Sequence, residues 1–131
     1  MSLSIGAHIF ESLSTSDALT RLVGAKIYPL STKKHTTFPF IIYKRTGLTP
    51  NDTKDRYGSG DNVGVEVIVA DDDYTNSINI AEAVRAALEH KGGDYDTFTV
   101  TDARLAACDE DFIEETYIQR LTFSFETEPN I

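Results

Sequence analysis

The chain has 131 residues, 40% of them hydrophobic, and it carries one cysteine and a formal net charge of −9. This length suits one domain with a substantial core, and a single cysteine excludes an internal disulfide. The acidity argues against general nucleic-acid binding, which needs clustered cations. We find no apolar run of the roughly 20 residues that span a bilayer and no signal peptide, so we expect no membrane segment and synthesis in the cytoplasm.

The first half of the chain predicts two short helices and two strands. Serines at the N-terminus can cap the first helix, and a second is expected over roughly 18–23. The segments 27–30 and 38–44 are rich in β-favouring residues, and each carries a proline, Pro29 or Pro39, which limits sheet pairing. The polar stretch 46–62 follows, and we predict a long flexible loop there.

The second half predicts a strand, a helix and two more strands. Residues 63–70 alternate as a half-buried strand does, and a helix is expected over 74–90. Strands are predicted over 98–107 and 113–126, joined by a turn at 108–111. This order indicates a single α+β domain over 1–131. We expect a mainly antiparallel sheet of four to five strands, with two or three helices packed on one face.

Charge is distributed unevenly along the chain. Residues 1–62 carry eight basic and five acidic side chains, a balance of +3, whereas residues 63–131 carry four basic and sixteen acidic, a balance of −12. One interpretation is that each charge only solvates its own surface. The other is that a basic surface of one protomer meets an acidic surface of its neighbour.

Candidate reactive groups are few. Cys108 could be a nucleophile with His8, His35 or His90 as its base, but it sits in an acidic run and no family-type local signature surrounds it. The run Asp71–Asp73 could bind a hard cation. The calcium-loop spacing is absent, however, and acids directly before a helix are typical of an N-cap.

The densest acidic cluster consists of Asp109, Glu110, Asp111, Glu114 and Glu115. A metal site or a paired-carboxylate hydrolase is conceivable, but nothing in the sequence sets two of these carboxylates at the separation that such chemistry needs. A solvated hairpin end that meets a basic partner surface fits the pattern better. The search for reactive groups therefore favours a part of an assembly over an enzyme.

Several segments taken in order resemble a known family. They are IYPL (27–30), FPFIIY (38–43), VGVEVIVADDDY (63–74), IAEAVRAAL (80–88) and DEDFIEETYIQRLTFSFE (109–126). Together they resemble the tail-completion family of tailed bacteriophages and prophages, also called tail-to-head joining or tail-terminator proteins. The likeness covers about residues 4–126, although the N-terminal helix and the stretch 46–62 carry no distinctive match.

The resemblance implies a non-enzymatic virion protein without cofactor or metal. It implies self-association into a ring, typically a hexamer, that caps the tail tube. The tail-tube protein and the head-connector protein are the implied partners, and DNA would pass through the lumen without specific binding. We expect the assembly interface to contain basic and aromatic residues of the first half and acidic residues of the second: Lys33, Lys34, His35, Lys54, Arg56, Tyr57, Asp109, Glu110 and Asp111.

Two other function classes stay open from the sequence. A small-ligand or regulatory binding module on an α+β scaffold would show an enclosed apolar pocket with convergent polar groups. An enzyme would have to use the acidic cluster and would bind divalent metal tightly.

Overall fold

The computed structural model describes residues 2–32, 36–50 and 60–130, which form three α-helices and one six-stranded sheet. A 3₁₀ turn at Ser2–Ser4 precedes the helices, which are α1 (Gly6–Ser14), α2 (Asp17–Val23) and α3 (Tyr74–Leu88). The strands are β1 (Ile27–Pro29), β2 (Phe40–Pro50), β3 (Asp61–Asp71), β4 (Gly93–Asp94), β5 (Phe98–Ile113) and β6 (Thr116–Pro129).

The sheet has the order β1-β2-β3-β6-β5-β4. Strand β1 pairs in parallel with β2, and all other pairs are antiparallel. The predicted α+β class and mainly antiparallel sheet are therefore confirmed, whereas the count of four to five strands was too low. The two-residue β4 has no periodicity that a sequence could display.

The described helices pack on one face of the sheet, as expected. The alternation in β3 turns Val63, Val65, Val67 and Val69 toward them, each at most 1% exposed. From the other side, α3 contributes Ile80, Val84 and Leu88, all fully buried. Burying each such side chain stabilises the fold by about 1.5–3 kcal/mol, so this interface between the sheet and α3 is a major part of the core.

The acidic run before α3 caps the helix. The Asp73 carboxylate accepts a hydrogen bond from Asn76 N at 2.8 Å. Asp71 is buried and accepts from Asp72 N at 2.7 Å and from Asn76 Nδ2 at 2.6 Å. The capping interpretation is therefore confirmed for Asp73, whereas Asp71 is the last residue of β3 and binds the Asn76 side chain. Over residues 2–32, 36–50 and 60–130, no three His, Cys, Asp or Glu side chains are grouped so that they could hold a metal ion.

The C-terminal end of α3 lies against the outer edge of β5. The His90 backbone N–H donates to the Ala103 carbonyl at 2.7 Å, and the Leu105 N–H donates to the Glu89 carboxylate at 3.3 Å. These two bonds occupy backbone groups that an edge strand would otherwise leave open.

The turn between β5 and β6 was predicted too early in the chain. Residues 108–111 belong to β5, and the chain reverses at Glu114 and Glu115, whose φ angles are 50° and 60°. The closing pair of the hairpin is Ile113 opposite Thr116. An acidic run can continue as a strand here because this part of the hairpin is exposed to water on both faces.

The polar stretch 46–62 is also partly strand. Strand β2 continues to Pro50 and β3 begins at Asp61, with Thr49 opposite Asn62 in the ladder. The predicted loop is therefore shorter than 46–62, and its remaining part, 51–59, lies outside the described residues.

Along the parts of the chain that the structure describes, every helix is too short or too polar to cross a bilayer.

Candidate assembly interface

The outer half of the β5–β6 hairpin extends beyond the buried part of the sheet. We call it the hairpin arm, comprising residues 107–120. The ladder runs through it without a break, from Ala107 opposite Thr122 to Ile113 opposite Thr116. All its side chains are exposed or half-buried, and the first fully buried position of β6 is Leu121. The side chains of the arm are therefore accessible, while the backbones of its two strands pair with each other.

One face of the arm carries an ion-pair cluster. Arg120 Nη1 lies 3.0 Å from Asp109 Oδ1, and Arg120 Nη2 lies 3.6 Å from Asp111 Oδ2. The hydrogen bond to Asp109 raises the pKa of the Arg120 guanidinium, opposed in part by desolvation. Two of the acidic side chains predicted for the interface are thus partly compensated within the arm. The carboxylates of Glu114 and Glu115 at the turn are exposed.

The other face of the arm is fixed to the start of α3. Glu110 accepts hydrogen bonds from Tyr74 Oη at 3.0 Å and from Gln119 Nε2 at 3.1 Å. The hydrogen bond to Glu110 raises the pKa of the Tyr74 hydroxyl. The Tyr117 ring lies 5.4 Å from that of Tyr74 and 4.7 Å from that of Phe112. The arm is therefore held in one orientation relative to the helices.

Basic side chains lie at the β1–β2 edge. Lys26 Nζ donates to the carbonyls of Thr37 and Phe38, each at 3.2 Å. Arg45 Nη1 donates to the Leu3 carbonyl at 2.7 Å, and Lys44 Nζ lies 3.8 Å from Glu66. The side chains of these three residues are partly or fully exposed, so this edge of the sheet carries positive charge. The acidic arm lies in the opposite half of the sheet.

The sheet face away from the helices is uncovered within the described residues. A groove of about 520 Å³ runs across it, floored by Phe40, Ile42, Ile68 and Ile118. Phe38 at one wall is 40% exposed and stacks on Phe40, with ring centroids 5.7 Å apart. This surface is an open apolar face rather than an enclosed pocket.

The nine residues predicted for the interface fall into two sets. Asp109, Glu110 and Asp111 lie together on the hairpin arm. The remaining six lie outside the described residues, so their part in an interface stays a prediction: Lys33, Lys34, His35, Lys54, Arg56 and Tyr57.

Sequence reasoning did not identify the residues that fix the arm, namely Tyr74, Gln119 and Arg120. Their partners become apparent only from the register, which sets Arg120 opposite Asp109 and Gln119 opposite Glu110. The available signal in the sequence was that the polar and aromatic run 117–120 lies just after the acidic run 109–111 and could pair with it.

Two of the histidines considered as a general base for Cys108 have other interaction partners. His8 is 1% exposed, and its Nδ1 lies 2.7 Å from Tyr95 Oη. His90 Nδ1 lies 3.9 Å from Asp102, whereas Cys108 is exposed on the arm. His35 lies outside the described residues.

Comparison with known proteins assigns the class of this subunit. The profile of the family described as "Tail completion protein gp17" matches residues 7–127. The chain therefore belongs to this phage tail-completion family and is a structural component of a virion, as its sequence segments indicated.

A solved structure has the same fold. It is a chain of the "Virion of native gene transfer agent (GTA) particle", with a TM-score of 0.76 over 92% of this chain and 91% of that chain. The two sequences are 17% identical, so this likeness concerns the fold alone. A search of the curated proteins found no match.

Proposed function

We propose that this protein closes the end of a phage tail tube as a ring of its own copies, typically six, and joins the tail to the head connector. The observation that carries the proposal is family membership across residues 7–127. In this proposal the protein acts without catalysis or a cofactor, and its partners are itself, the tail-tube protein and the head-connector protein.

The shape and charge of the protomer support a ring. A closed ring needs heterologous contacts, in which one patch of a subunit meets a different patch of the next. An acidic arm on one half of the sheet and basic side chains at the β1–β2 edge are two unlike patches of this kind. Opposite charges on such patches would also guide the register of docking.

The overall acidity suits a channel that DNA traverses. With a net charge of −9, the protomer can present carboxylates to a lumen, where they would repel the phosphates of a passing duplex. The ring would then conduct the genome without retaining it.

Sedimentation and electron microscopy test the proposal. Purified protein is mixed with isolated tail tubes, and each tube end is inspected for an added ring. We expect rings at one end of the tubes and an arrest of further tube growth. Protein that neither associates with itself nor binds tube ends would contradict the proposal.

The basic segment of the first half is part of the same proposal. Replacing Lys33 and Lys34 together by glutamate should reduce tube capping at low salt, because two positive charges become negative. Unchanged capping by this double variant would remove both lysines from the interface and leave the ring itself unaffected.

A further inference from the structure

Two exposed apolar features of the protomer have charged rims of opposite sign. The first is the tip of the hairpin arm, which we call the hairpin tip, comprising residues 112–116. Phe112 is 55% exposed and Ile113 is 45% exposed. The carboxylates of Glu114 and Glu115 follow directly and are exposed, so the apolar tip has an acidic rim.

The second feature is a groove of about 240 Å³ at the β1–β2 edge, which we call the edge groove. Leu3 and Leu30 form its exposed walls, at 58% and 75% exposure, and Ile9 lies at its floor. Lys44 and Arg45 also line it, so this apolar groove has a basic rim.

In both features, some residues have a backbone conformation that is unfavourable for their side chains. Leu30 has φ 65°, a left-handed conformation in which glycine or asparagine is usual. Glu114 and Glu115 occupy a two-residue hairpin turn with positive φ at both positions, where Asn-Gly is preferred. None of the three side chains is buried in the protomer core. Strained positions of this kind concentrate at functional sites.

We propose that the hairpin tip of one copy inserts Phe112 into the edge groove of the next copy. In this contact Glu114 and Glu115 face Lys44 and Arg45. The inference rests on the ring of the proposed function and assigns the surfaces that close it.

The position of the two features in the sheet makes the contact heterologous. The groove lies at β1, the first strand of the sheet order, and the tip joins β5 to β6 in the other half. Each copy therefore uses its tip toward one neighbour and its groove toward the other, which is the arrangement that closes into a ring. The fixed orientation of the arm on α3 lowers the entropy that docking would otherwise cost.

Each of two variants disrupts one of the two surfaces. Phe112→Asp places a charge in the tip, and Leu30→Asn removes the groove wall with a residue that suits the left-handed backbone. Leu30→Asn should fold at least as stably as wild type, which separates a loss of assembly from a loss of folding. Phe10→Asp is the matched control, because Phe10 is 46% exposed on α1 and lies outside both features.

Capping of tail tubes by sedimentation is the first readout. We expect Phe112→Asp and Leu30→Asn each to weaken capping about 30-fold or more, as removal of an interface anchor does, and Phe10→Asp to cap as wild type does. Tip or groove variants that cap tubes like wild type would overturn this inference while leaving the proposed function intact. Failure of wild type itself to cap tubes would overturn both.

Mixing the two variants at tube ends is the second readout. A Phe112→Asp copy keeps an intact groove and a Leu30→Asn copy keeps an intact tip, so a mixture can form pairs joined by one contact. We expect crosslinking to capture a pair containing one copy of each variant, and neither variant alone to give dimers. Dimers of one variant alone at the wild-type level would contradict a contact between tip and groove.

Discussion

The inner and outer halves of the β5–β6 hairpin share one ladder but differ in what holds them. In the inner half, Phe98, Val100, Phe123 and Phe125 are at most 3% exposed and pack beneath the helices. In the outer half, the hairpin arm, side chains are held by hydrogen bonds, ion pairs and ring contacts at the surface. The same backbone pattern thus provides folding stability at one end and an exposed, polar surface at the other.

The largest expected difference between the halves is the response to losing an aromatic ring. Phe123→Ala should lower the free energy of unfolding by about 3–5 kcal/mol, because it leaves a cavity in a fully buried site. Phe112→Ala in the arm should cost less than about 1.5 kcal/mol, since the exposed ring loses only its contact with Tyr117. Urea denaturation measures both, and equal losses would erase the distinction between the two halves.

Weakening the N-terminus of α3, which supports the arm, should lower the free energy of unfolding by a smaller amount. Asp73→Ala removes the acceptor for Asn76 N and should lower the free energy of unfolding by about 1 kcal/mol. Because Tyr74 in the next position anchors Glu110, amide exchange in the arm should rise more than in the inner half. Asp72→Ala is the control, since Asp72 is exposed and is not the N-cap residue. Equal exchange rates in Asp73→Ala and Asp72→Ala would mean that α3 does not support the arm.

Substitutions in the turn between β5 and β6 should stabilise the protein. Replacing Glu114 by Asn and Glu115 by Gly should raise the free energy of unfolding by about 0.5–1 kcal/mol, because those residues suit positive φ. Thermal unfolding at constant salt measures this gain. A lower melting temperature would indicate that the glutamates stabilise the arm within the protomer.

The free energy of unfolding should fall at mildly acidic pH because of His8, which lies on α1 and packs against Phe125 of the inner half. Burial lowers the pKa of His8, whose ring lies edge-on to Phe125 at 5.7 Å. The unfolded chain, with a histidine pKa near 6.5, then binds more protons than the folded chain, so stability should decline as pH falls through 6.5.

The variant that tests this is His8→Gln, with unfolding measured between pH 7.5 and pH 5. The decline should be shallower in His8→Gln than in wild type, because the variant lacks the group that binds protons differently in the two states. Identical slopes for wild type and His8→Gln would show that His8 does not titrate differently in the two states.

The sequence predicted those elements whose signal is local. Alternation in residues 63–70 fixed both the strand and its buried face, and the acids before residue 74 indicated the cap of α3. The hairpin turn was misplaced because a Glu-Glu turn has neither glycine nor asparagine, whereas the acidic run at 108–111 looked like a polar turn.

The rest depends on contacts between distant residues. The parallel pairing of β1 with β2 follows from a crossover that no periodicity reveals. The pairing of Arg120 with Asp109 needs the register of the hairpin, and the burial of His8 needs the position of Tyr95, 87 residues later. The clustering of Asp109, Glu110 and Asp111 on the hairpin was thus predictable, whereas the residues that orient the hairpin were not.

The bonds from Glu89 and His90 to the outer edge of β5 have a consequence for how copies of the protein behave before they meet a tail. The outward Ala103 carbonyl and Leu105 amide are already engaged and cannot pair with a strand of another copy, so edge-to-edge pairing is discouraged at this part of β5. In the proposed ring, contacts between copies would then depend mainly on side chains. Such contacts weaken with salt, so subunits of this kind would stay separate until a tube end brings them together.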